Sequence, residues 1–231
     1  MSSGENSDVR PEEGEGSFKE ALKRLPMFPL PNVVLFPHAL LPLHIFEERY
    51  RAMARDVLSG QRFLAISLIS PGEDPETNEK PAVQRIAGVG EVVMAHELAD
   101  GRFNLVVRGR ARIHIDEELV SDRPYRLIAA STLPDLAPKD RGELIDSDQS
   151  LRALVSHLAE AIPDGGELLR QVVAAQETPS ELVDVLAAAL VVDPGQRQAL
   201  LETRDVLKRI ERVSAEVVAM TSRISTTSTV N

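Results

Sequence analysis

Cysteine is absent from the 231 residues, so the chain has no disulfide framework, no thiolate nucleophile and no thiolate metal site. A cysteine-free chain suits a reducing compartment. Aromatic residues make up only 3% of the total, which leaves little platform for stacking nucleobases. No apolar run approaches the roughly 18 residues of a membrane span. The opening MSSGENSDVRPEEGEGSFKE has neither a basic leader nor an apolar stretch, so it does not read as a signal peptide. The expected location is the cytoplasm, away from any membrane.

Catalytic signatures are missing too. There is no G-x-x-x-x-G-K-[ST] loop and no G-x-S-x-G elbow. Gly88-Val89-Gly90 starts like a dinucleotide fingerprint, but the third glycine and the following helix are lacking. The two glycines read instead as places where backbone approaches closely. The five histidines show no ligand spacing. No catalytic residue, metal ligand or cofactor is assigned. The net charge is −10, with the acidity concentrated at both ends and residues 24–134 close to neutral. A polyanion binder would carry the opposite balance.

The chain does carry two kinds of periodicity. Residues 24–134 alternate with period two between turn residues. Arg62 to Ile69 reads as a buried strand, and HELADGRFNLV as a hairpin whose Asp100-Gly101 suits a type I′ turn. Beyond the turn, Phe103, Leu105, Val107, Ala111, Ile113 and Ile115 make an inward row, and Arg102, Asn104, Arg108, Arg110, Arg112 and His114 a wet one. Pro26, Pro29, Pro31, Pro37 and Pro42 interrupt the most apolar segment. Proline cannot donate to a ladder, so these strands should be short and turn corners, as in a curled barrel. Glu47–Leu58, with Tyr50, Met53, Ala54 and Val57 at helical spacing, is an inserted helix.

Beyond Pro134 the period becomes helical. Thr178-Pro179-Ser180-Glu181 is a capping box, and Asp193-Pro194-Gly195-Gln196 repeats its logic. The expected plan is α+β: a disordered acidic tail at 1–23, a β lobe at 24–134, a linker at 135–149 and a helical lobe at 150–231.

Two groups of residues could carry function. The proline-broken segment cannot easily bury all its apolar residues. Val34, Phe36, Leu40, Leu43, Phe46 and Tyr50 are therefore candidates to line a groove for a peptide, by apolar contact or by strand addition. Arg102, Arg108, Arg110 and Arg112 form a strip that could meet an anion or acidic partner. The plain alternative is a solvated face paired with acids such as Asp116 or Glu117.

FPLPNVVLFPHALLPLHIFEERY resembles the start of the N-terminal, substrate-binding domain of Lon proteases, in Pro29-Leu30, Val34-Leu35-Phe36-Pro37 and Pro42-Leu43-His44-Ile45-Phe46-Glu47-Glu48-Arg49-Tyr50. The later segment resembles the same family in Gly88, Leu98, Asp100-Gly101-Arg102, Gly109 and Arg112. PYRLIAASTLPD and QRQALLETRDVLKRIERV resemble its next strand and closing helices, so the similarity runs in order over about residues 25–215. The resemblance implies a PUA-like β pseudo-barrel with an inserted helix, followed by an α-helical bundle. It implies non-enzymatic binding of unfolded or degron-bearing protein, as adaptor or regulator of a protease or chaperone. With no ATPase or protease module in these residues, neither activity carries over, and the chain reads as a stand-alone member. PUA-like folds also include RNA binders, which the near-neutral β lobe disfavours, and a small-molecule sensor with a pocket between the lobes is a third reading.

Overall fold

The computed structural model describes residues 11–74, 77–162 and 165–228. The period-two region forms β1 (Leu25–Leu30), β2 (Leu40–Ile45), β3 (Phe63–Leu68), β4 (Ile86–Glu97), β5 (Phe103–Leu119) and β6 (Arg126–Thr132). They make one mixed sheet in the order β2-β5-β4-β3-β1-β6, with only β1 and β3 parallel. The long β5 pairs β2 through its first half, and its second half pairs β6 over Ile113–Leu119. The pairings therefore curl round from β5 through β4, β3, β1 and β6 back to β5, leaving β2 with one free edge. Helix α2 (Glu48–Ser59) is inserted between β2 and β3 and buries Tyr50, Met53, Ala54 and Val57. After the sheet come α3 (Arg141–Ala161), α4 (Gly166–Ala174), α5 (Pro179–Leu190), α6 (Pro194–Glu202) and α7 (Val206–Ser228). This is the expected α+β plan: a curled sheet with an inserted helix, then a helical lobe.

Three apolar clusters hold it together. Met27, Ala65, Ala87, Val89, Ile113 and Ile128 fill the inside of the curl. On the opposite face of the strands, Phe28, Leu64, Ile66, Leu105 and Val107 pack beneath α2. Val34, Phe36, Ala39 and Leu68 join the helical lobe through Leu186, Leu201, Val213 and neighbours. Each buried Val, Leu, Ile, Phe or Met among them contributes about 1.5–3 kcal/mol.

The prolines and glycines act together at the third cluster. Pro37 and His38 form the centre of a turn closed by Ala39 N–H donating to Phe36 O (3.4 Å). His38 is held at φ 65°, the left-handed conformation that a type II turn demands at this position. The chain then bonds directly to Gly109, with His38 N–H donating to its carbonyl (3.0 Å) and its N–H donating to Ala39 O (2.9 Å). A Cβ at Gly109 would lie 1.9 Å from Phe36 O, and one at Gly88 would lie 2.0 Å from Leu35 O. Both glycines are there because a strand of backbone passes directly over them.

Several expectations need correction. Residues 1–23 are not all tail. Pro11–Ala21 form a helix, α1, and Phe18 packs edge-on against Phe63 at 5.2 Å, with Ala21 and Leu22 buried beside it. Phe18, Ala21 and Leu22 fall at helical spacing, so burying them offsets the entropy of ordering the segment. Residues 1–10 lie outside the described residues. The linker is shorter than 135–149, because Asp140 caps α3 by accepting from Gly142 N–H (2.7 Å) and Glu143 N–H (3.2 Å). The Asp100-Gly101 hairpin is present, but only Gly101 has positive φ (78°). It is a type I turn closed by Gly101 N–H to Leu98 O (2.8 Å) and followed by a left-handed glycine, not type I′.

Candidate functional site

Once β5 is laid between β2 and β4, the register decides which side chains share a face. Leu41, Leu43 and Ile45 of β2 align with Val107, Leu105 and Phe103, and turn toward α2. The intervening residues turn the other way, to solvent. There Pro42, Val106 and Met94 lie opposite one another across three strands. One step along, Leu40, Arg108 and Glu91 align; one step back, His44, Asn104 and His96 do. Leu40 is 62% exposed and Met94 65%, and Val93, in a bulge beside Met94, is also exposed. Phe46, 62% exposed, continues the β2 row and stacks on His44 with ring centroids 6.3 Å apart. The result is an apolar row of Leu40, Pro42, Val106 and Met94 on an otherwise polar face, with Phe46 beyond His44, the kind of surface that marks an interaction site.

Of the six sequence candidates for this groove, Leu40 and Phe46 lie in the band. Leu43 is half-buried on the α2 side. Val34, Phe36 and Tyr50 are corrections, since all three are buried core residues. Phe36 is sealed between sheet and helical lobe, and Tyr50 packs on Phe28 with centroids 4.3 Å apart. Their burial follows from the crossing over Gly88 and Gly109, a long-range contact that local periodicity does not reveal. Met94, Val106 and Pro42 join the band through the strand register and are not among the candidates singled out by the sequence pattern. The available signal was Val106, an apolar residue in the polar row of β5.

The free edge of β2 is a poor template for strand addition. Position 39 faces Gly109 through backbone bonds, so counting by two puts Leu41 and Leu43 in bonded pairs. The backbone groups of Leu40, Pro42 and His44 then point to the free edge, and Pro42 has no N–H. The missing central donor blunts the edge, and side-chain contact over the face is left as the mode of docking.

The arginine strip divides. Arg102 donates to Asp100 (2.7 Å), and hydrogen bonds from its backbone and side chain hold Asp100 below the usual aspartate range despite slight desolvation. Arg110 comes within 3.9 Å of Glu91. Arg108 is exposed, with no ion pair among the described residues. Arg112 is the correction: it is buried beneath the helical lobe. Its guanidinium makes a forked pair with Asp184 (Nη1 to Oδ2 2.8 Å) and its Nε donates to Leu201 O (2.9 Å). Arg209 lies on the other side of Asp184, Nε 3.2 Å from Oδ1, and also binds Asp135 (2.7 and 3.0 Å) and Ser180 Oγ (2.9 Å). Burial raises the Asp184 pKa, against the pull of both arginines. This neutral four-charge cluster joins sheet to helices, and of its buried polar atoms Arg209 Nε is left without a hydrogen bond.

Two concavities bear on the small-molecule reading. The one between the lobes, lined by His38, Arg110, Arg112, Asp135 and Ser180 among others, is about 220 Å³. That is below the ~300–1,000 Å³ usual for ligand sites. A cleft of about 780 Å³ at the start of α2 is lined by two ion pairs, Arg49 with Glu47 (2.9 Å) and Arg126 with Glu118 (2.7 Å), and by Glu79 and Lys80 beside them. Among the described residues no group of three or more acids and histidines could hold a metal. No described helix is long and apolar enough to cross a membrane.

The chain is thus an α+β protein with a curled mixed sheet, an inserted helix and a helical lobe, and with an apolar band exposed on the sheet face. Residues 24–218 match the family described as the ATP-dependent protease La (LON) substrate-binding domain, and the chain belongs to that family. It is 30% identical over 192 residues to the Lon protease of Dictyoglomus thermophilum, covering 82% of this chain and 24% of that one. It is 25% identical over 189 residues to Lon protease 2 of Myxococcus xanthus, covering 82% and 23%. The chain thus spans about a quarter of the length of the curated relatives it matches. The N-terminal domain of a Mycobacterium avium complex Lon protease has the same fold, with TM-score 0.67 at 18% identity, covering 85% of this chain and 98% of that one. A Lon N-terminal domain protein from Xanthomonas campestris superposes with TM-score 0.57 at 26% identity, covering 83% and 97%.

Proposed function

We propose that this protein binds apolar segments of unfolded or degron-bearing proteins, without chemistry of its own, and serves proteolysis as an adaptor or regulator in the cytoplasm. The observation that carries the reading is the band Leu40, Pro42, Val106, Met94 and Phe46, open to solvent in a member of a substrate-binding family. Covering it gains about 25 cal/mol per Å² of apolar surface, less the cost of ordering the guest. Met suits a surface that must accept many sequences, because its unbranched side chain re-packs.

The test is binding of a chemically unfolded, fluorescently labelled model protein by the full chain and by Met94→Asp. Capture by the parent chain and its loss in the variant, with unchanged thermal unfolding, is the expected result. Equal capture by both removes the band from the account. RNA binding is less well supported, because Arg112 is buried and Arg102 is committed to Asp100, leaving two of four arginines for phosphate.

A further inference from the structure

The arginine row and the apolar band share one strand face, and their register says what kind of segment fits both. Along β5 the outward positions run Asn104, Val106, Arg108, then Arg110 beyond the Gly109 irregularity. Val106 is the centre of the apolar row and Arg108 is the next outward residue, about 7 Å further on. Arg108 is flanked across the strands by Leu40 on β2 and Glu91 on β4. Glu91 is the one acid at this level, and its carboxylate lies 3.9 Å from Arg110 rather than on Arg108. Arg108 therefore borders the apolar row with no ion pair among the described residues.

We infer that the band selects apolar segments carrying an acidic residue two positions from their apolar anchor, the acid pairing with Arg108 when the anchor covers Val106, Pro42 and Met94. The inference rests on the band being the client surface, and adds the chemistry of the client. An extended guest lying along β5 advances two residues in the same ~7 Å that separates Val106 from Arg108, so the spacing of guest and host coincide. The chain carries a net charge of −10, so an acidic guest gains nothing from long-range attraction, and any preference must come from this local contact. At the other end of the band the arginine of this face, Arg102, is already paired with Asp100 (2.7 Å) and lies 3.3 Å from His44, so Arg108 is the less committed of the two.

Fluorescence anisotropy on the full chain tests this with three labelled synthetic peptides of one apolar core, bearing Asp, Asn or Lys two positions from the anchor. The Asp peptide should bind about two- to five-fold more tightly than the Asn peptide at low ionic strength, the scale of one exposed ion pair. The Lys peptide should be weaker, and Arg108→Glu should reverse the order. Rising salt should erase the differences and leave a common apolar affinity. If all three bind equally while Met94→Asp abolishes binding, the acidic preference is refuted and the band stands. If none binds, or Met94→Asp changes nothing, the band itself is refuted and the preference falls with it.

Discussion

Arg112 on β5 and Asp184 on α5, 72 residues apart in sequence, meet in a forked ion pair in which both side chains are buried. Their contact fixes the helical lobe against the sheet, and therefore fixes which face of the sheet stays open. Arg209 crowds the same carboxylate from α7. Removing one partner of a buried pair leaves the other charge uncompensated. Arg112→Met, which leaves the buried Asp184 without its forked partner, should therefore destabilise the fold by about 3–5 kcal/mol in urea unfolding. Arg112→Met with Asp184→Leu should recover most of that, since apolar replacements of both partners are often close to neutral.

Asp135 gives the cluster a pH dependence. Burial raises its pKa, but hydrogen bonds and charge from Arg209, with Ser180 and Arg112, outweigh burial and hold it below 3.8. A depressed folded value means stability that is present above the unfolded pKa and lost as pH falls through the folded one. Asp184, with its pKa raised, runs the other way. Its contribution is present below 3.8 and is lost as pH rises through its folded value. The unfolding free energy should drop steeply on acidification below pH 3.8, and Asp135→Asn should flatten that limb.

Tyr125 acts on the alkaline side. Burial, and then its hydrogen bond to Asp56 (2.5 Å), push the phenol from 10.0 up to about 12. A raised folded value means that the stabilisation is complete below pH 10.0 and disappears as pH climbs toward about 12. Thermal unfolding of the parent chain should lose stability across that window, while Tyr125→Phe should start lower and lose less, the remaining loss coming from Tyr50, whose pKa burial also raises.

Much of this fold is legible in the sequence because the signals are local. The alternation Phe103, Leu105, Val107 marks the covered face of β5, and the Thr178 capping box marks the start of α5. What is hidden depends on distant partners. Nothing near Arg112 says that Asp184 will cover it, so the arginine row reads as uniformly wet. Nothing near Phe36 says that it will be roofed by helices. Gly88 and Gly109 hint at close backbone approach, without saying which backbone approaches. The apolar band was half-legible: Leu40 and Phe46 stand out by type, whereas Met94 and Pro42 join it only through the strand register.

The turn over Gly109 makes opposite predictions for neighbouring residues. His38 sits at φ 65°, where a Cβ costs about 1–2 kcal/mol. Glycine removes that cost but adds about 0.5–1 kcal/mol of unfolded-state entropy to be lost. His38→Gly should therefore raise stability by about 0.5 kcal/mol. Gly109→Ala places a methyl group 1.9 Å from Phe36 O, where backbone must move, and should cost about 3 kcal/mol or more. Guanidinium melts of the two variants should move in opposite directions.

Core and surface within the same proline-broken segment should separate cleanly under mutation. Phe36 is wholly buried among the residues that join sheet to helices. Phe36→Asp places a charge there with no partner, and the chain should fail to fold cooperatively, losing near-ultraviolet dichroism and any sharp melt. Leu40 stands four residues later and 62% exposed. Leu40→Asp should shift stability by less than about 0.5 kcal/mol while weakening capture of an unfolded protein. A folded Phe36→Asp variant would contradict the crossing of the segment over Gly109. A Leu40→Asp variant that unfolds would show that the band is held closed in solution rather than offered to a partner.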